Sequence, residues 1–511
     1  MTAGPQAPAL AARLGLLSVV LFGVAYMSPS IVMTTFGVIA STSHGAAPTA
    51  YVVATVAMLL TALSYGKMAR VLPASGSAYT YAREMIDSRV GFLVGWAILL
   101  DYFFLPMVAW LIQSLYLNAQ FPAVPVWAWL TANIVVTTGI NILGTVLADR
   151  VNKALMALTV AGIAAFVVMC LHHLGGGAAH PPAAPLWSAG VTPGAVSAAA
   201  AVAAYSFLGF DAVSTLSEET HDAGRTIPRG IVLTVLAGGL VFVLVAYVMQ
   251  WVHPGGHFTD ESTASYTMSV LVGGRTFADI VNVVVLVGGF ASGLAIQAST
   301  SRLMYVMGRD GVLPRRFFGR LHARLRTPVL NLALVGAAAF VALSLSLATA
   351  TSFINFGAFT AFTMVNVCVV AHFARNRRAG GGRLSPLTHV ALPVLGAAVD
   401  IYLLTRLSST AIWLGAGWLV LGIVYLIALT RGFRRPPPAM NLGDAPEPGD
   451  ERPARAIERR IEHRYLDVKA DNVELRTRRH HPHALPGPLR VERDDGGERQ
   501  ESDPAHHGPG L

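Results

Sequence analysis

The sequence predicts an all-α integral membrane protein with about 12 transmembrane helices, and three observations predict it. Of its 511 residues, 54% are hydrophobic and only 13% charged, where soluble domains carry about 25% charged residues. Mean hydropathy is +0.55. Apolar runs of about 20 residues recur along most of the chain, long enough to cross a ~30 Å hydrocarbon core. The alternating pattern of roughly ten residues that marks a membrane barrel is absent from the sequence. Finally, the basic residues gather in every second loop, the charge signature of cytoplasmic loops in multi-span proteins.

Taken in order, the spans fall near 14–41, 49–70, 90–117, 125–146, 151–174, 192–218, 229–252, 277–306, 329–348, 352–373, 386–406 and 411–431, numbered 1 to 12. Only Arg13 precedes the first run, which passes Val38 without a small-residue cleavage site. Residues 1–13 are therefore expected as a cytoplasmic N-terminus and not as a cleaved leader. One set of loops carries Lys67, Arg70, Arg83 and Arg89, then Arg150 and Lys153, then Arg225 and Arg229. The same set continues with the arginines from Arg302 to Arg326, and with Arg375, Arg377, Arg378 and Arg383. The opposite set carries almost none; Arg275 and Arg406, both near span ends, are the exceptions. This places both termini in the cytoplasm and requires an even number of crossings. It also accounts for the net charge of +9, so the bilayer is the expected partner and nucleic acid is not.

Two spans are interrupted. Span 1 contains Gly23-Val24-Ala25-Tyr26-Met27-Ser28-Pro29-Ser30, where Pro29 lacks the amide its helix needs and clashes with the preceding turn. An ordinary kink would leave the same mark, but freed backbone groups at that depth must line a cavity or be covered by protein. Five spans later comes Tyr205-Ser206-Phe207-Leu208-Gly209-Phe210-Asp211, where Gly209 lets span 6 unwind, followed by Ser214, Thr215 and Ser217, too polar for lipid. Breaks at matching positions predict an inverted repeat of two five-helix halves, residues 14–174 and 192–373, with the site at the midplane. Helices 11 and 12, residues 386–431, lie outside the repeat. Residues 432–511, with Pro436-Pro437-Pro438 and mixed charge, read as a cytoplasmic, mostly disordered tail, in which Glu451–Val468 could form a short helix.

Other motifs carry no chemistry. Cys170 and Cys368 sit in apolar segments and read as small buried hydrophobes, not as a disulfide framework or zinc site. Gly175-Gly176-Gly177 has no following Lys-Ser/Thr, so it is an external turn and not a phosphate loop. His480-His481 and His506-His507 lack metal-ligand spacing. Neither a metal nor an organic cofactor is expected.

The acids are different. A charge at mid-membrane costs about 2.5–3.5 kcal/mol on insertion scales. Asp211 is therefore protonated, paired with a buried base, or turned toward a cavity that admits a cation, and no base is predicted at its depth. Asp101 is a second such acid, in Leu99-Leu100-Asp101-Tyr102-Phe103-Phe104-Leu105-Pro106 of span 3. Its neighbour Tyr102 offers a hydroxyl and a ring face, or is plain packing. The two point about 100° apart on a helix, so one of them is expected to face the cavity. With the rings of Tyr26, Tyr205, Phe207 and Phe210, these residues suit an ammonium group, which is drawn to carboxylates and ring faces. Half-helix C-terminal ends add negative partial charge. The expected substrate-binding set is Tyr26, Met27, Ser28, Tyr102, Tyr205, Phe207, Gly209 and Asp211. Asp101, Glu218 and Glu219 are expected in coupling or gating; the two glutamates read equally as solvated interfacial residues, and Lys153 as an interfacial anchor.

Several segments are more specific still. They are Gly23 to Gly37; Ser64-Tyr65-Gly66-Lys67 through the loop to Tyr79-Thr80-Tyr81; Gly95-Trp96 to Pro106; Ser206 to Val213, on through Leu216-Ser217-Glu218-Glu219-Thr220 to Ile227-Pro228; and Ser301 to Asp310. Together they resemble the amino acid–polyamine–organocation permease superfamily and, within it, the bacterial putrescine importers, over roughly residues 14–430. The resemblance implies a LeuT-like 5+5 inverted repeat plus two extra helices, substrate between spans 1, 3, 6, 8 and 10, and uptake driven by an ion gradient.

Two departures from the superfamily's pattern bear on function. Amino-acid carriers usually have a Gly-rich break in span 1 whose amides hold the substrate carboxylate. Here Met27-Ser28-Pro29-Ser30 offers fewer donors and no glycine, which favours a diamine. Some relatives carry a lysine midway along span 5, where this chain has Thr159; a proton carried by Asp211 or Asp101 is the preferred coupling ion, with Na+ as the other. The expected function is a secondary active transporter importing putrescine or a related amine across the cytoplasmic membrane by alternating access, in an undetermined oligomeric state. An amino-acid permease or exchanger is the alternative. A membrane sensor is disfavoured by a tail too short and polar for an output domain, and an enzyme by the lack of Gly-x-Ser-x-Gly or His-Glu-x-x-His.

Overall fold

The structure, a computed structural model, describes residues 14–72, 77–143, 148–175, 181–322, 325, 327–380 and 384–438. The side chains of residues 143–156, 218, 219 and 291 lie outside the described set. So do residues 1–13, Gly176, Gly177, the tail histidines and Glu451–Val468, along with the expectations placed on them. The chain divides at Pro448 into two units, and the described residues all belong to the first.

Among the described residues the secondary structure is helical, with one isolated bridge, Leu14 to Thr220, and no sheet. Nine helices among the described residues are long and apolar enough to cross a membrane, ten when the bent pair Leu16–Met27 and Ile31–Thr42 counts as one crossing. Val126–Ile142 and Val329–Ser344 occupy the places of spans 4 and 9 and are apolar but shorter. The molecule is an all-α, multi-pass membrane protein. Ser77–Met85, read from sequence as part of a loop, is a helix that buries Ala78, Tyr79, Tyr81 and Ala82. Its spacing puts those residues on one face.

A bilayer supplies no water to satisfy polar groups, so they find partners across helices. Asn141 donates to Gln297 at 2.8 Å and Gln297 to the Thr138 hydroxyl at 2.8 Å, joining spans 4 and 8. Span 12 is clasped to span 3 by two stacked indoles, Trp96 and Trp418, with ring centroids 5.1 Å apart. Each donates its N–H to the other's backbone carbonyl at 2.9 Å. Closest to the helix breaks, the Tyr51 hydroxyl of span 2 (Ala47–Val71) touches both interrupted spans. It lies 3.0 Å from the Thr35 hydroxyl and 3.1 Å from that of Ser206.

Candidate substrate site

The two breaks are built differently. In span 1 only Ser28, Pro29 and Ser30 separate the half-helices, which meet at 52°. Ser28 takes φ 52°, ψ 94°, in the left-handed region, and its carbonyl accepts from the Ile31 amide at 2.9 Å, so the second half restarts at once. Span 6 loosens over a longer stretch. Its α-helix Pro193–Ala203 passes into a 3₁₀ turn at Ala204–Phe207, then through Gly209 at φ 109°, then into a second 3₁₀ segment, Asp211–Glu219. Gly209 is required twice over: by its backbone angle, and because a Cβ there would fall 2.1 Å from Cδ1 of Tyr26. The ring of Tyr26 thus lies on the bare backbone of the second break.

Asp211 stands at the head of that last segment. Its carboxylate accepts from the Gly209 amide at 3.3 Å, and the Ser214 hydroxyl donates to its carbonyl at 2.6 Å. Tyr26, Tyr65, Tyr81 and Tyr102 lie within Coulombic range of the carboxyl, and Asp101 lies in range of it as well. Tyr205 in turn lies in range of Asp101. Neither acid has an ion-pair partner among the described residues, and Oδ1 of Asp101 is buried without a hydrogen bond. Unpaired carboxylates in a low-dielectric interior are costly, and an entering cation would compensate them.

Beside this cluster lies a cavity of about 70 Å³ between spans 1, 3, 6 and 8. Of the expected residues, Tyr26, Met27, Ser28 and Tyr205 line it. Asp211, Asp101, Tyr102 and Gly209 do not; they are reached through Tyr26, which belongs to both cavity and cluster. Phe207 is turned away: fully buried, it packs edge-on against Phe242 of span 7 at 5.1 Å. Its role is corrected from substrate contact to packing. Glu218 and Glu219 lie on the Asp211–Glu219 segment, and their side chains are outside the described set. Just beyond them the chain is pinned to the start of span 1, with the His221 amide donating to the Leu14 carbonyl at 3.1 Å. Thr159 is buried at the face of span 8, where a Cβ on Gly288 would meet its hydroxyl at 2.7 Å.

Sequence reasoning missed several members. Gln113 and Tyr116 line the cavity; a glutamine inside an apolar run was the available signal. Tyr65 and Tyr81 have buried hydroxyls and pack edge to face with ring centroids 6.2 Å apart. Tyr65 is packed against Phe210 at 5.6 Å and Phe362 at 5.9 Å, so span 10 buttresses the break instead of lining the cavity. Both tyrosines belong to conspicuous motifs; Tyr81 was expected in a loop, which gave it no reason to be buried, and Tyr65 near the end of span 2.

This architecture has known counterparts. A model of the family described as amino acid permease matches residues 19–385. The low-affinity putrescine importer PlaP of Escherichia coli (strain K12) is 39% identical over 429 residues, covering 83% of this chain and 95% of its own. The methylthioribose transporter of Bacillus subtilis (strain 168) is 27% identical over 449 residues, covering 82% and 95%. The branched-chain amino acid permease BcaP of the same organism is 25% identical over 443 residues, covering 82% and 93%. With a family match that runs through both helix breaks and the cavity between them, the chain belongs to the amino acid permease family, within the amino acid–polyamine–organocation superfamily.

Proposed function

We propose that this protein is a secondary active transporter that imports putrescine or a closely related amine across the cytoplasmic membrane by alternating access, with both termini in the cytoplasm. The observation that carries the reading is the pair of uncompensated carboxyls, Asp211 and Asp101, set among tyrosines beside two helix breaks. A diamine supplies the two positive charges that this site lacks. The near full-length likeness to a putrescine importer supports the same substrate class.

In this reading Asp211 holds one ammonium, since the break fixes its carboxylate. Tyr102 and the carbonyls at the end of the first half-helix hold the other. Tyr26 stands between cavity and acids and turns aside as substrate enters. The contact between Leu14 and His221 closes the opposite end while the cavity is loaded. Import is coupled to a proton carried by Asp211 or Asp101, with sodium as the competing ion.

Uptake of labelled putrescine into proteoliposomes, under imposed proton or sodium gradients and against a panel of unlabelled competitors, tests the proposal. Saturable uptake blocked by diamines and driven by the proton gradient is the expected result. Inhibition by neutral amino acids, with none by diamines, overturns it in favour of an amino-acid permease.

A further inference from the structure

A third acid lies inside the helical bundle, away from the cavity. Asp400 occurs in Ala397-Ala398-Val399-Asp400-Ile401 of span 11 (Leu387–Thr405) and is fully buried. Its Oδ2 accepts two hydrogen bonds, from the Thr61 hydroxyl of span 2 at 2.8 Å and from the Asn366 amide of span 10 at 3.0 Å. Both partners are themselves fully buried. The Asn366 amide also donates to the Thr61 hydroxyl at 3.2 Å, so the three side chains form one knot joining three helices. Gly396, one turn before Asp400, makes room for it: a Cβ there would come within 2.8 Å of Oδ1 of Asn366.

The knot leaves two atoms over. Oδ1 of Asp400 and Oδ1 of Asn366 are both buried, both acceptors, and neither has a hydrogen-bond partner. The two side chains are already joined by the amide-to-carboxyl bond, so a single hydrogen between the orphan oxygens would satisfy both. An ionised Asp400 would instead leave a charge buried among neutral groups, with two acceptors unmet. The packed elements offer no counter-charge. Span 2 carries Lys67, whose ammonium donates to the Thr388 carbonyl at the start of span 11, about three turns from Asp400, where His389 also pairs with Thr388 and Ser385. On span 10 the nearest ionisable groups with charge, His372 and Arg375, lie more than a turn beyond Asn366, and Pro193–Ala203 carries no ionisable side chain. On its own helix, Tyr402 donates to Ser197 and Arg406 to the Gly194 carbonyl, both directed away from Asp400.

From this geometry we propose that Asp400 is a proton-binding site separate from the substrate site, its carboxylic acid paired with the Asn366 amide in a closed ring. The loaded pair latches span 11 to spans 2 and 10. Loss of the proton to water would leave the ring open and the latch weakened.

Infrared difference spectroscopy on the purified full chain tests the site without reference to substrate. The wild-type spectrum minus that of Asp400→Asn should show a protonated carboxyl C=O band at neutral pH that shifts in D2O, and the band should survive in Asp211→Asn. In Asn366→Leu the band should move to higher frequency as the acid loses its acceptor, a readout that stands even if Asp400→Asn fails to fold. Transport by Asp400→Asn should stay within about twofold of wild type, because the asparagine amide can donate where the acid did. A carboxylate band in place of the acid band overturns the proposal. So does a sodium- or potassium-dependent rise in melting temperature that Asp400→Asn abolishes, since the orphan oxygens would then belong to a metal ion. Neither outcome touches the assignment of putrescine, which rests on uptake.

Discussion

The two helix breaks do the same geometric task by opposite means. Span 1 interrupts its helix over Ser28, Pro29 and Ser30 and resumes α geometry at Ile31. Span 6 loses α geometry from Ala204 to Glu219. The first is held by a proline that cannot continue a helix; the second by one glycine that has both a forbidden angle and no space for a side chain. The short break lends Met27 and Ser28 to the cavity wall; the long one lends Tyr205 and Leu208 and also carries the charge, through Asp211. A stiff hinge thus faces a soft one, and the functional carboxyl sits on the soft side.

The sharpest way to break this comparison is at Gly209. Gly209→Ala forces an L-residue to φ 109° and drives a methyl into the Tyr26 ring, at a cost of about 3 kcal/mol or more from strain and overpacking together. Uptake should fall by more than tenfold, and the melting temperature in detergent should drop. Adding Tyr26→Ala relieves the clash but not the backbone angle, so partial thermal recovery without recovered transport is expected. Full recovery would mean that the angle itself is dispensable.

Next in size is the charge. Asp211→Asn keeps the shape of the side chain while removing a charge-assisted contact worth about 1.5–3 kcal/mol. The KM for putrescine should rise about 10- to 100-fold, read by initial rates in proteoliposomes. Asp101 lacks the backbone amide that steadies Asp211. Asp101→Asn should therefore raise KM less, by about fivefold, or ~1 kcal/mol. If the two substitutions were equal in effect, the acids would share the ammonium and the contrast between held and unheld carboxyls would fail.

Much of this could be read in the residues because the bilayer leaves few options. Long apolar runs must be helices, and Pro29 and Gly209 announce breaks in any context. Burial direction was less legible. Phe207 and Phe210 are close aromatics in one motif, yet each ends in packing, one against Phe242 and the other against Tyr65 and Phe362. In a 3₁₀ turn the side-chain repeat differs from that of an α-helix, so helical periodicity misplaces residues there. Asp400 carried the same signal as Asp211, an acid in an apolar run, but no break beside it suggested a site. The tyrosines at 65 and 81 were visible as motif residues; Tyr65 is buried on span 2, and the helix Ser77–Met85 turns Tyr81 inward to meet it, ring centroids 6.2 Å apart.

The smallest expected effect tests the stiff hinge. Ser28 is a non-glycine residue at φ 52°, a conformation that costs an L-residue about 1–2 kcal/mol. Ser28→Gly removes that strain but adds chain entropy to the unfolded state, about 0.5–1 kcal/mol in the other direction, and gives up the 3.3 Å contact with the Ser30 hydroxyl. The terms nearly cancel, so stability should change by less than about 1 kcal/mol and uptake should stay above half. Ser28→Val adds a β-branch at the same angle, where such residues are rarely tolerated, and should lower both melting temperature and uptake. The pair separates hinge from charge: Pro29 fixes where span 1 breaks, and Ser28 supplies a tolerated angle. If Ser28→Gly instead abolished transport while leaving the fold intact, the serine hydroxyl would be a substrate contact, and the short break would carry chemistry as well as shape.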